Sequence, residues 1–228
     1  MNVPDHLKQY YRINYVDSNK ASPDILAQIL SLEKNNWISR AAAHNPNCPP
    51  EALTEVFKRG KNDLVLGTAL NNPNCPSEIL SKILKRNKND YLSQIAVMNL
   101  NCSPEALTEV LKKRTNDTVS MCAAQNINCP KEILIEILKR GNNDWVSMYA
   151  AKNPNCPIKM IIEVLKRGVN NFVSQFAAKN PNCPPKAKLQ WMIDIGKIHQ
   201  EDPETDDIEE EKEKVDTDLI KFKELLES

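Results

Sequence analysis

Glycine is scarce in this chain: five of its 228 residues are glycine, against fifteen prolines. The sequence also lacks runs in which apolar and polar residues alternate, the pattern of a half-buried strand. Both absences argue against a sheet protein. No apolar run has the length of a membrane span, and the N-terminal residues MNVPDHLKQYYRINY contain no stretch suited to a signal peptide. We therefore expect a cytoplasmic protein that binds no membrane.

Catalytic signatures are missing as well. The sequence contains no Ser/His/Asp set, no convergent carboxylates, no phosphate-binding loop and no metal-ligand spacing. Histidine occurs only at His6, His44 and His199. The sequence thus predicts a protein that is not an enzyme and that holds no metal and no cofactor.

A repeated motif is the main feature that is present. The motif Asn-Pro-Asn-Cys-Pro, first seen at Asn45–Pro49, recurs with little change. Its cysteines follow one another at intervals of 27 residues: Cys48, Cys75, Cys102, Cys129, Cys156 and Cys183. A fixed period of this length indicates that one supersecondary unit has been copied and stacked. Full repeats begin at Ser22, Pro49, Pro76, Ser103, Pro130 and Pro157, and a degraded repeat begins at Pro184.

Each repeat reads as two short helices joined by a turn. Proline fits the first turn of helix A, as at Pro50, and Gly60 suits the residue after its end. Helix A then has about ten residues. Asp63 caps helix B, which runs to about Asn71, where Asn72-Pro73 stops it. Neither helix is long enough to be stable alone, so contacts between repeats must stabilise both.

The residues Ala42–Leu53, AAHNPNCPPEAL, resemble the leucine-rich repeat variant proteins. Repeats of that family carry a similar core, N-P-N-T-P-P-E-x-L, with threonine usual where this chain has Cys48. The resemblance covers roughly residues 20–190 and implies a right-handed superhelix of alternating helices. The first described member carries an iron–sulfur cluster on an N-terminal cysteine cluster. This chain has no cysteine before Cys48, so we expect no such cluster.

The repeat and the resemblance together predict an all-α fold, a right-handed α-solenoid of about seven 27-residue helix–turn–helix repeats. HEAT-like helical pairs are the alternative. The predicted organisation is an N-terminal capping half-repeat at 1–21, with a modified helix B at 5–17, and then the repeats at 22–199. An acidic linker at 200–214 and an amphipathic helix at 215–228 follow.

Charge is unevenly distributed although the chain is neutral overall. Residues 1–199 carry a net charge of +9 and residues 200–228 one of −9. We leave three roles open for the C-terminal helix: covering the last repeat, dimerising, or folding over the basic body and competing with a ligand.

Three sets of equivalent residues are candidates for chemistry. The cysteines are either small half-buried residues or, at a helix N-cap, thiols with some thiolate character. The asparagines either satisfy backbone groups or bind a polar ligand. The basic ladder either meets phosphates or is a solvated helix end: Lys58-Arg59, Lys85-Arg86, Lys112-Lys113, Lys139-Arg140 and Lys166-Arg167. The predicted local pairs are Glu55→Arg59, Glu109→Lys113, Glu136→Arg140 and Glu163→Arg167.

Helix B contains positions that the repeats do not share. The residues at Val65 and Ala69 hardly vary between repeats and are expected to pack. Three rows vary. The first is Trp37, Leu64, Tyr91, Thr118, Trp145 and Phe172. The second is Arg40, Gly67, Gln94, Met121, Met148 and Gln175. The third is Ala41, Thr68, Ile95, Cys122, Tyr149 and Phe176. We expect the second row to be exposed; the first and third are either exposed or filler between repeats.

Aromatic and methionine side chains with polar neighbours are typical of a recognition surface. The predicted binding residues are Trp37, Arg40, Tyr91, Gln94, Met121, Trp145, Met148, Tyr149, Phe172 and Gln175. The leading hypothesis is a non-catalytic scaffold that binds an unidentified protein or peptide on this face. The alternative is nucleic-acid or other polyanion binding by the basic ladder, modulated by the acidic tail. The sequence does not predict an oligomeric state.

Overall fold

The structure, a computed structural model, describes residues 4–8, 10, 13–17, 20–113 and 115–198. The predicted linker at 200–214 and the predicted helix at 215–228 lie outside these residues. The chain divides into two compact units between Glu136 and Ile137, here called the first and second units.

All regular secondary structure in the described residues is helical, which confirms the all-α prediction. The helices are α1 (Asp5–Lys8), α2 (Ile13–Val16), α3 (Pro23–Ser31), α4 (Trp37–His44), α5 (Pro50–Lys58), α6 (Leu64–Asn71), α7 (Ser77–Lys85), α8 (Tyr91–Met98), α9 (Pro104–Lys112), α10 (Thr118–Gln125), α11 (Lys131–Lys139), α12 (Trp145–Lys152), α13 (Ile158–Leu165), α14 (Phe172–Ala178) and α15 (Pro185–Asp194).

Helix bounds agree with the local signals in the sequence. In α5, Pro50 is the first helical residue and the N-cap is Pro49. Gly60 follows the C-cap with φ +67°, a left-handed conformation that glycine adopts without a steric penalty. Helix B of the same repeat runs from Leu64 to Asn71, as predicted.

A side-chain cap begins every helix B from α4 to α14. The Asp63 carboxylate accepts a hydrogen bond from the Leu66 amide at 2.9 Å, and Asp90 accepts one from Ser93 at 2.8 Å. The same bond is made by Asn36, Asp117, Asp144 and Asn171. These caps satisfy backbone donors that the helix leaves unpaired.

We expect Asp90→Ala to lower the free energy of unfolding by about 1 kcal/mol, because it leaves the Ser93 amide without its cap. Asp90→Asn keeps a hydrogen-bond acceptor and should lower the free energy of unfolding by only a few tenths of about 1 kcal/mol. Partial burial opposes ionisation of Asp90, but hydrogen bonds from Ser93 and the charges of Arg86 and Lys88 lower its pKa. The carboxylate's added stabilisation is therefore present above about pH 4 and lost as the pH falls further. Urea titrations at pH 7 and pH 3 measure both effects, and equal stability of the two variants at pH 7 would contradict the capping role.

Packing follows the repeat within each unit. In the first unit, helix A packs on the helix B that follows it, as in the pairs α3–α4, α5–α6, α7–α8 and α9–α10. Helix B packs on the next helix B, in the pairs α4–α6, α6–α8 and α8–α10. The second unit has the equivalent contacts α13–α14 and α12–α14. The invariant helix B residues such as Val65 and Ala69 are buried in these contacts, as expected.

The first asparagine of each motif connects its repeat to the one before it. Asn99 donates through Nδ2 to the carbonyl oxygens of Leu70 at 2.7 Å and Asn72 at 3.0 Å. Its Oδ1 accepts a hydrogen bond from the amide of Asn101 at 2.7 Å. The paired Nδ2 bonds recur at Asn72, Asn126 and Asn180. The first asparagine is buried in all six motifs: Asn45, Asn72, Asn99, Asn126, Asn153 and Asn180. The interpretation that these asparagines satisfy backbone groups is therefore confirmed.

Near the N-terminus the structure differs from the prediction. In place of one modified helix B over residues 5–17 it has the four-residue helices α1 and α2. Helix α2 nevertheless packs against α4, as one helix B packs against the next, and the Val16 carbonyl accepts a hydrogen bond from Asn45 Nδ2 at 2.6 Å. Packing on α4 and hydrogen bonding to the next repeat therefore attach this segment, although it does not form a full helix. That residues 1–21 form a cap stays a prediction.

Candidate functional site

The first row is exposed along its whole length. Trp37 is 72% exposed and Tyr91 64%, although both are large aromatic residues. The other four members are also exposed: Leu64, Thr118, Trp145 and Phe172. The row lies at the first residue of each helix B, immediately after the N-cap. The first row was predicted to be either exposed or filler between repeats, and in the structure it is exposed.

The second row is less exposed than the sequence led us to expect. Arg40, Gln94, Met121 and Gln175 are half-buried, and Met148 is only 5% exposed, so the prediction of exposure is wrong at Met148. Side chains three residues beyond the first row lie nearer to the contact between neighbouring B helices. The flexible methionine is covered there.

The third row packs. Tyr149 and Phe176 are half-buried, and their rings meet edge to face with centroids 5.8 Å apart. Ala41 and Cys122 are buried. Edge-to-face contact is a stabilising arrangement of aromatic rings. Tyr149, one of the predicted binding residues, therefore contributes to packing, as the filler interpretation of this row implies.

A groove with a volume of about 630 Å³ lies on the helix B face of the first unit. The predicted binding residues Trp37, Arg40 and Tyr91 line it. His44, Gly67 and Met98 line it as well. We call it the Gly67 groove. It brings together predicted residues from α4 and α8, which lie two repeats apart in the sequence. Gln94 and Met121 do not line it.

Gly67 lines this groove and was not among the predicted binding residues. The other glycines have positive φ: Gly60, Gly141, Gly168 and Gly196. Gly67 lies inside α6, where glycine costs about 0.5–1 kcal/mol relative to alanine. A Cβ at Gly67 would be 3.4 Å from Tyr91 Cε1 and 3.6 Å from Ile95 Cδ1, which is ordinary contact. The sequence signal was available: one glycine in a row that otherwise carries long side chains.

Arg40 provides the positive charge of the groove. Its guanidinium carbon lies 4.5 Å from the centroid of the Trp37 ring, a cation–π contact. Among the described residues Arg40 makes no ion pair, and its buried Nε atom has no hydrogen-bond partner. His44 follows one turn later and is exposed. Asp17 also lines the groove, so it carries one fixed charge of each sign.

In the basic ladder the lysines are exposed, and three of the four arginines, Arg59, Arg86 and Arg140, are partly buried. The Arg59 side chain is 6% exposed, with Nη2 4.0 Å from the Asp63 carboxylate. Glu55 pairs instead with Lys58 at 2.8 Å, so the predicted Glu55→Arg59 pair is wrong. The arginine at the end of helix A turns toward the cap of helix B, as Arg86 does toward Asp90 at 3.0 Å. Six lysines of the ladder are exposed: Lys58, Lys85, Lys112, Lys113, Lys139 and Lys166.

Five cysteines of the ladder are buried rather than half-buried, and Cys183 is half-buried. Cys48 has no exposed surface, and it precedes the N-cap, Pro49, instead of occupying it. Burial raises the pKa of Cys48 from 9.0 to about 12. The same cause raises the pKa to about 12 at Cys75, Cys102, Cys129 and Cys156. The hypothesis of thiolate character is therefore wrong for these five residues, since desolvation opposes ionisation.

No protein-family model matches this chain, and neither a curated protein nor a solved structure is significantly similar to it. The described residues contain no group of three or more histidine, cysteine, aspartate or glutamate side chains placed to hold a metal ion. None of the described helices is long and apolar enough to span a membrane.

Proposed function

We propose that this protein is a non-catalytic helical-repeat scaffold that binds a protein or peptide through the first row of helix B and the Gly67 groove. The observation that carries the proposal is the exposure of the first row in all six full repeats. Five of its six members are aromatic or leucine. Large apolar side chains that are exposed at the same position of successive repeats within a unit are typical of surfaces that a partner covers.

The architecture that we propose for this scaffold is a right-handed α-solenoid of the leucine-rich repeat variant type. Repeated contacts within each unit support it, because helix A meets helix B and each helix B meets the next. The asparagine bonds to the preceding repeat recur at the same 27-residue and 29-residue spacings. A chain built in this way presents equivalent positions side by side, which suits an extended ligand.

Polyanion binding is the second candidate, and the six exposed lysines of the basic ladder favour it. Two observations weigh against it. Arg59 is buried beside Asp63, and Lys58 is already paired with Glu55. A phosphate would have to compete with these carboxylates, which weakens the electrostatic attraction.

We expect a variant of the first row to lose binding that a variant of the basic ladder keeps. The first-row variant combines Trp37→Ala, Tyr91→Ala, Trp145→Ala and Phe172→Ala. The basic-ladder variant combines Lys58→Ala, Lys85→Ala, Lys139→Ala and Lys166→Ala. All eight residues are exposed, so both variants should fold, which circular dichroism checks. The amount of protein captured from an extract of the native source should fall at least about tenfold with the first-row variant and stay unchanged with the basic-ladder variant. The reason is that hot-spot aromatics contribute over about 1 kcal/mol each to binding.

The same two variants test the alternative. A labelled 20-nucleotide single strand, titrated at low and high salt, should bind weakly and equally to both variants if the proposal is right. Strong, steeply salt-dependent binding that only the basic-ladder variant loses would reject the scaffold proposal in favour of polyanion binding.

A further inference from the structure

We propose that the Gly67 groove binds a peptide that carries a carboxylate beside an apolar side chain. The apolar side chain enters the space above Gly67, between Trp37 and Tyr91, and the carboxylate pairs with Arg40. This inference rests on the proposed function, since it specifies the ligand of one part of the same face.

The apolar half of the proposal follows from the missing side chain at Gly67. The other repeats place Arg, Gln or Met at this position, and the fold accepts them. A Cβ at Gly67 would meet only ordinary contacts, so packing does not require glycine here. Gly67 is buried at the floor of the groove, and a Cβ there would lie within 3.7 Å of Tyr91, Ile95 and Leu92, so a methyl group fits but a longer side chain would occupy part of the groove. Tyr91 and Ile95 border that space, which makes it apolar.

The carboxylate half follows from Arg40. Among the described residues no acidic side chain pairs with it, although a guanidinium binds a carboxylate through two parallel hydrogen bonds. The contact with the Trp37 ring holds the guanidinium in place before a ligand arrives, which reduces the ordering that binding requires. Asp17 balances the charge of the groove. The expected ligand therefore has one well-placed acidic residue rather than a run of them.

The test is a selection from a phage-displayed library of random dodecapeptides against the full-length chain. We expect a consensus with Asp or Glu next to Leu, Ile, Met or Phe. The synthetic consensus peptide, labelled with fluorescein, is then titrated by fluorescence anisotropy. Binding should weaken at least about 30-fold with Gly67→Met, which fills the space, and with Gly67→Gln, the residue found at Gln94 and Gln175. Circular dichroism checks that both variants fold, and Gly67→Ala, whose methyl group would meet ordinary contacts, should leave the unfolding midpoint equal or higher.

Arg40→Gln should weaken the acidic peptide about 10-fold or more and leave its Glu→Gln or Asp→Asn analogue unchanged, which isolates the ion pair. Lys58→Ala, on the basic ladder, is the control and should change neither affinity. A consensus without an acidic residue, or an equal effect of Arg40→Gln on both peptides, would overturn this inference. Proposed binding by the first row would survive that result if Gly67→Met still abolished binding. A library that yields no binder would overturn the inference. Selected peptides whose affinity changes neither with Gly67→Met nor with the first-row variant would overturn the inference and would also count against the proposed function.

Discussion

Replacing Asn99 by alanine will lower the free energy of unfolding by about 3–5 kcal/mol. The buried amide makes three hydrogen bonds, to the carbonyl oxygens of Leu70 and Asn72 and from the amide of Asn101. Alanine leaves the Leu70 carbonyl and the Asn101 amide without these partners, while the Asn72 carbonyl keeps the hydrogen bond from the Cys75 amide; each unpaired buried group costs about 1–3 kcal/mol. Urea titration followed by circular dichroism measures the loss.

Asn99→Asp tests whether the donor is what matters. The substitution keeps the shape and one acceptor but places a carboxylate against two carbonyl oxygens. We expect it to destabilise more than Asn99→Ala at pH 7 and to recover as the pH falls and the carboxyl group is protonated. Asn71→Ala is the matched control, because Asn71 is exposed and should change stability by less than about 0.5 kcal/mol. Similar losses for Asn99→Ala and Asn71→Ala would show that the asparagines do not hold the repeats together.

Alkaline pH should destabilise the first unit steeply above about pH 9. Burial holds the pKa of Cys48, Cys75, Cys102 and Cys129 at about 12, whereas the same thiols in an unfolded chain ionise near 9.0. The native state therefore keeps protons that the unfolded state releases. The stability that the buried thiols provide is complete below pH 9 and is lost as the pH rises toward 12. Each thiol contributes about 1.4 kcal/mol per pH unit in that window, and the four together contribute about 5.6 kcal/mol per pH unit.

Urea titrations at pH 8, 9, 9.5 and 10, with a phosphine reductant present, measure this slope. Cys102→Thr provides the control, because threonine does not ionise. We expect the variant to lose about 1.4 kcal/mol per pH unit of the slope and to match the native chain at pH 7 within about 1 kcal/mol. An unchanged slope would mean that the thiols are not buried as described.

Local features of the helices could be predicted from the sequence because their causes lie within a few residues. Asp90 caps a helix through the amide three residues later, and Gly60 ends one by its own backbone freedom. The stop at Asn72-Pro73 has the same local origin. The 27-residue period then repeats each of these features along the chain.

Side-chain environments could not be predicted in the same way. Arg59 has a glutamate four residues before it and an aspartate four residues after it, and sequence spacing favours neither. Only the turn between helices brings Asp63 to its guanidinium. Met148 lies on the same helix face as exposed residues, and it is buried because neighbouring B helices pack along that side.

The sequence by itself determined the repeat, the helical class and the ends of the helices, since periodicity, capping and proline act over short distances. Tertiary structure alone decided which variable residues reach the surface and what the motif asparagines bind. It also placed Gly67 in one groove with Trp37, Arg40 and Tyr91. The physical reason is that burial and hydrogen bonding depend on the neighbouring repeat, 27 residues away in the chain and in direct contact in the fold.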